Sequence, residues 1–212
     1  MSIKTLSEQN IVAACKRLIK TDPDLARIHQ TYGTPPLWAR PAGFATLVHI
    51  ILEQQVSLAS AKACHDKLCA KLGKLTPKTF LTLNDAELKT VGFSRQKTAY
   101  ARNLAETILA RKLSLKALET MPDDDVRETL KQLKGVGDWT ADVYLLMCLL
   151  RQDIMPRGDI ALHAAYQKLK GLERRPGSDE FIEIAEKWRP HRASAARLLW
   201  HFYLSEKRNK TW

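Results

Sequence analysis

Leu133-Lys134-Gly135-Val136-Gly137-Asp138-Trp139-Thr140-Ala141, followed further on by Pro156-Arg157-Gly158-Asp159, is the stretch from which this 212-residue chain is best read. Two glycines flank one apolar residue between two amphipathic helical patterns, together about residues 123–150. Glycine allows positive φ and close backbone approach, so the spacing predicts a helix–hairpin–helix turn. The N–H groups that open the second helix have no intrahelical partner and carry positive partial charge, which suits a phosphate oxygen. Gly135, Gly137 and Thr140 are candidate phosphate contacts, and Lys134 adds a formal charge at the rim. A lone G-x-G also occurs in ordinary helix–helix turns; the nine-residue string is far more restrictive.

Helical periodicity extends outward in both directions. Leu6, Ile11, Ala14, Cys15, Leu18 and Ile19 form one stripe, closed by Thr21-Asp22-Pro23, and a short helix follows over Leu25–Gln30. The proline-rich segment Tyr32–Pro41 is not helical. Helices are predicted at Phe44–Gln55 and Leu58–Leu72, with starts at Thr76-Pro77 and Asn84-Asp85, and another from Ser94 to about Leu113. Three more fall near 160–170, 178–188 and 192–206. Alternating β-branched strands are absent, so the expected fold is all-α.

The chain carries 34 basic against 23 acidic side chains, a formal charge of +11, which favours a polyanionic partner. Cys15, Cys64, Cys69 and Cys148 are scattered, form no C-x-x-C pair, and read as buried free thiols of a reducing compartment. Met1-Ser2-Ile3-Lys4 has no apolar signal core, and no stretch approaches the roughly 20 apolar residues of a membrane span. The expectation is a cytoplasmic protein, nucleoid-associated in a bacterium, with no membrane partner. The basic tail Lys207-Arg208-Asn209-Lys210 is short.

Asp159 lies 159 − 139 = 20 residues past Trp139 and has two compatible readings. Before Ile160-Ala161-Leu162 it looks like a helix cap, and a carboxylate so held could stabilise an oxocarbenium-like sugar and orient a water. Asp138 reads as a first-turn acid, and Asp153 as a solvated loop residue.

Together with Pro41-Ala42-Gly43-Phe44, Ile51–Ser57, Gly92–Lys97, Trp188–Arg192 and Trp200, the hairpin string resembles the helix–hairpin–helix superfamily of DNA glycosylases, in its alkylation-repair branch. The resemblance covers roughly residues 40–205. It implies two helical lobes with an active cleft between them: residues 1–42 with 152–212, and a continuous lobe 43–151. It implies Asp159 as the catalytic carboxylate, and Trp139 and Trp200 around the flipped base, with Tyr144 a further pocket candidate. Family members that also cleave the strand have a lysine where Trp139 stands, so it implies a monofunctional enzyme without lyase activity. A family tyrosine four residues past Trp139 is here Val143, which leaves the excised base open: 3-methyladenine and 7-methylguanine, or hypoxanthine, ethenoadenine or a mismatched base. A non-catalytic DNA-binding module is the alternative outside enzymes.

Gln55 matches the side chain that fills the gap left by the flipped base, with Gln54 and Ser57 beside it; a surface glutamine is the plainer reading. Arg95 and Lys97 read as phosphate contacts or as a solvated basic face. Some family members carry an iron–sulfur cluster on four C-terminal cysteines; none follows Cys148, so no cluster and no required cofactor is expected. Main-chain carbonyls of Lys131, Leu133 and Val136 match those that hold Na⁺ or K⁺ at the hairpin in relatives. The implied partner is double-stranded DNA, bound by a monomer.

Overall fold

The computed structural model describes residues 3–208; Met1, Ser2, Asn209 and Lys210, which the sequence reading touched, lie outside the described residues. In chain order the first helices are α1 (Glu8–Thr21), α2 (Pro23–Tyr32), α3 (Phe44–Glu53), α4 (Leu58–Leu72), α5 (Pro77–Phe80) and α6 (Asp85–Val91). Then come α7 (Arg95–Leu109), α8 (Asp123–Lys131), α9 (Asp138–Met147), α10 (Ile160–Lys170), α11 (Ser178–Ala185) and α12 (Arg192–Arg208). Among the described residues there is no strand, only an isolated antiparallel bridge between Thr5 and Arg151. The all-α expectation holds.

The backbone divides into two compact units, residues 1–39 with 145–212, and residues 40–144. The second boundary falls inside α9, seven residues before the expected 151. Hydrogen bonds give the reason: Leu6 N–H donates to Leu150 O, Gln152 N–H to Lys4 O, and Arg197 Nη2 to Leu146 O. The end of α9 is thereby tied to α12, and the segment after it to the N-terminal segment.

In the first unit α12 packs on α10, α2 and α1. Its run Ala193–Trp200 is buried on every side, and small residues let neighbouring backbones approach. Arg197, inside that run, donates to the carbonyls of Leu37, Ala193 and Leu146 at 2.8–3.0 Å. Burial pushes its guanidinium down to about 10, partly offset by Cys15 and Glu8. Asp22 caps α2 through the N–H groups of Asp24 and Leu25, and Pro23 starts that helix with no N–H to leave unpaired.

In the second unit α3 is the central element. Leu47, Val48, Ile50, Ile51 and Leu52 are all buried, and α4 and α7 pack on it. Gly92 ends α6 in the left-handed region, and Ser94 opens α7 by accepting from Lys97 N–H.

Candidate nucleic-acid interface and carboxylate

The turn between α8 and α9 is anchored from inside. Leu133 and Val136 are buried, Val136 N–H donates to Leu133 O at 3.1 Å, and Lys134 and Gly137 are the exposed residues of the turn. Arg127 of α8 and the buried Asp142 of α9 pair at 2.6 Å and lock the two helices together. Lys131 and Asp138 close the base of the turn at 2.9 Å, so Asp138 is an ion-pair partner as well as a first-turn acid. From α7, Asn103 Oδ1 accepts from Lys134 N–H, and the Tyr100 ring lies where a Gly135 side chain would point. The Lys134 side chain remains exposed.

The segment after α3 is held to this turn. Gln54 Nε2 donates to Gly135 O and to Thr140 Oγ1, each at 2.9 Å. Lys97 Nζ donates to Leu52 O at 2.6 Å and Gln54 O at 2.8 Å. Burial pulls the Lys97 ammonium below its usual range, with Cys64 partly offsetting. These contacts correct three expectations. Gln54 faces the hairpin rather than DNA, Thr140 is a buried hydroxyl rather than a phosphate contact, and Lys97 serves the carbonyl end of α3. Gln55 does project from the surface, in the left-handed region at φ +57°, and Ser57 caps α4 by accepting from Ser60 N–H. Arg95 is exposed in the first turn of α7.

Asp159 is the N-cap of α10. Its Oδ1 accepts from Leu162 N–H at 2.9 Å and from the indole N–H of Trp200 at 3.2 Å. The carboxylate is buried, so a helix start and a tryptophan on α12 fix its orientation together. The imidazole of His163, also buried, feels the Asp159 charge; desolvation nonetheless holds it below its ordinary range. Asp153, expected in solvent, is instead gripped by Arg189 at 2.7 Å and Arg192 at 2.9 Å.

Residues 48–191 match the HhH-GPD superfamily of base excision DNA repair proteins. The chain belongs to that superfamily. Among HhH-GPD relatives, the alkylbase DNA glycosidase-like protein mag2 of Schizosaccharomyces pombe is 28% identical over 192 residues, 87% of this chain and 90% of its own. The Bacillus subtilis protein YfjP is 26% identical over 184 residues; the match takes in 83% of this chain but only 64% of that protein's length. Among solved HhH-GPD structures, S. pombe 3-methyladenine DNA glycosylase Mag1 in complex with abasic DNA superposes with a TM-score of 0.83. The match covers 92% of this chain and 97% of that one at 24% identity, a likeness of fold.

Within the HhH-GPD framework, the structure groups the predicted residues differently from the sequence. Trp139 is partly exposed at the start of α9, whereas Tyr144 has no accessible surface and is a core residue rather than a pocket wall. Its position on a helix buried over Ala141–Leu146 accounts for that. Trp188 is also core, its indole N–H donating to Asp22 at 2.8 Å. Sequence reading missed Tyr100, Asn103, Arg127 and Asp142, the residues that hold the hairpin. Only the i, i+3 spacing of Tyr100 and Asn103 carried a signal, and any solvated helix face shows the same; Arg127 and Asp142 lie 15 residues apart on different helices. Among the described residues, no cluster of three or more His, Cys, Asp or Glu is placed to hold a metal ion.

Proposed function

We propose that this chain is a monofunctional DNA glycosylase that hydrolyses the N-glycosidic bond of alkylated bases, of the 3-methyladenine and 7-methylguanine type, in double-stranded DNA. The observation that carries this reading is the Asp159 carboxylate, oriented by Leu162 N–H and Trp200 Nε1 in an HhH-GPD protein whose relatives include named alkylbase glycosylases. The hairpin glycines and Lys134, with Arg95, grip phosphates; Gln55 fills the space of the extruded base. As the C1′–N bond breaks, its electron pair leaves with the base and an oxocarbenium-like sugar remains. Asp159 stabilises that cation and orients a water, whose oxygen bonds C1′ while its proton passes through the carboxylate to solvent. An alkylated base is positively charged before it leaves, and the Trp139 face stabilises such a cation by roughly 0.5–2 kcal/mol. Tryptophan has no amine for a Schiff base, so the product is an intact strand with an abasic site.

A second reading concerns which base is excised. With Tyr144 in the core and Val143 buried, this stretch of α9 contributes no second aromatic wall. A less aromatic pocket suits neutral lesions such as hypoxanthine or ethenoadenine as well as cationic ones. The carbonyls proposed for Na⁺ or K⁺ are neutral, hard donors that suit a monovalent ion. Leu133 O accepts one bond, from Val136 N–H, and a carbonyl oxygen has a second lone pair for an ion. An ion held by those of Lys131, Leu133 and Val136 would then offset the charge of a DNA phosphate at the turn. We read the acting species as a monomer of the cytoplasm or nucleoid; among the described residues, no helix is long and apolar enough to cross a membrane.

Duplexes carrying single lesions, incubated with the protein and then cleaved by alkali, test the reading. Strand breaks are expected at methylated purines, and Asp159→Asn should lower the rate by at least about 100-fold with affinity unchanged or higher. Breaks only at hypoxanthine or ethenoadenine would move the specificity to the second reading. Binding without breaks at any lesion would leave a non-catalytic module.

A further inference from the structure

Gln55 holds its backbone at φ +57°, and beside it Val56 and Leu58 are 46% and 55% exposed. Strain and bare apolar surface at a loop tip persist where the surroundings over-determine the backbone. Here they do so from two directions. Gln54, the residue before the strained one, reaches the hairpin through Gly135 O and Thr140 Oγ1. Lys97 of α7 holds the carbonyls of Leu52 and Gln54. The same face of α7 also holds the turn, with Tyr100 against Gly135 and Asn103 accepting from Lys134 N–H. The projecting tip and the phosphate-facing turn are therefore referenced to each other, directly by Gln54 and indirectly by one helix face.

We propose that Gln54 is a positioning residue that sets the register between the phosphate clamp and the wedge. Phosphates repeat along a strand, so a clamp alone does not choose a base step. A fixed offset from clamp to wedge means that each phosphate seated on the hairpin brings one particular step to Gln55. This rests on the wedge reading of Gln55 and adds the device that aims it. The bond from Gln54 to a main-chain carbonyl leaves the clamp's outward surface untouched, so loss of Gln54 separates insertion from binding.

The full-length protein is titrated onto a duplex with a tetrahydrofuran abasic analogue opposite 2-aminopurine, whose fluorescence rises on unstacking. Gln55→Ala, Gln54→Ala and the double variant are compared with wild type. Thr140→Val removes the acceptor hydroxyl from the hairpin side, as an independent variant should Gln54→Ala disturb the loop. Gln54→Ala and Thr140→Val are expected to bind within about threefold of wild type yet lose most of the fluorescence rise, as Gln55→Ala does. The double variant should be no worse than Gln55→Ala alone. A full rise in Gln54→Ala and Thr140→Val, or losses that add in the double variant, would overturn the register role while leaving the wedge in place. A silent Gln55→Ala would remove the wedge reading itself, and this inference with it.

Discussion

Gly135 and Gly137 look alike in the sequence and answer to different demands. Gly135 has φ +81°, and a Cβ there would stand 2.1 Å from the Tyr100 ring. Gly135→Ala should therefore destabilise the protein by about 2–4 kcal/mol, through backbone strain and overpacking, as read by chemical denaturation. Gly137 lies outside the left-handed region, and a Cβ there meets nothing within 4 Å. No internal contact calls for glycine at that position. Gly137→Ala should change stability by less than about 0.5 kcal/mol while weakening duplex binding, because the added methyl stands where a phosphate would approach. If Gly137→Ala binds DNA as wild type does, the turn is not the clamp.

At the scale of elements, the corner between α1 and α2 is where pH enters. Burial pushes the Asp22 carboxyl up, but hydrogen bonds from Lys187, Trp188 and Leu25 N–H outweigh it and hold it below the ordinary carboxylate range. Because the folded value lies below the unfolded one, this stabilisation is complete above about pH 4 and is lost as pH falls through the folded value. Asp22→Asn should cost about 1–2 kcal/mol at pH 7, and the gap from wild type should shrink as pH drops below about 4. Urea unfolding at the two pH values measures both quantities; a gap of constant size would assign the carboxylate no ionic role. The same corner ties α2 to the segment before α12, since Trp188 and Lys187 lie on the short 3₁₀ turn Glu186–Trp188.

For the whole molecule, the excess of +11 predicts that duplex affinity falls linearly on a log–log plot against salt. Exposed Lys134 should account for about one unit of that slope, so Lys134→Ala should flatten it by about 1 and weaken binding alike for damaged and undamaged duplexes. An unchanged slope would place Lys134 off the DNA path. Lys97 carries the same formal charge, but its ammonium sits on the carbonyls of Leu52 and Gln54. Net charge counts both residues equally, whereas their surroundings do not.

The helices, their caps, the hairpin and the position of Asp159 are legible residue by residue, because those depend on local rules: periodicity, glycine, proline and capping side chains. Thr76, Asn84, Ser94 and Asp159 cap the helices as their positions foretold. What the other polar side chains do follows from packing between distant parts of the chain. Gln54, Lys97 and Thr140 read as DNA contacts because amides, amines and hydroxyls suit phosphates, yet each spends its hydrogen bonds inside the protein. Tyr144 stands next to an expected pocket position and is core, since neighbouring residues on a helix differ by about 100° and burial around α9 settles the rest. Local periodicity is written in consecutive residues; the partner of a polar group comes from chain tens of residues away, and packing alone selects it.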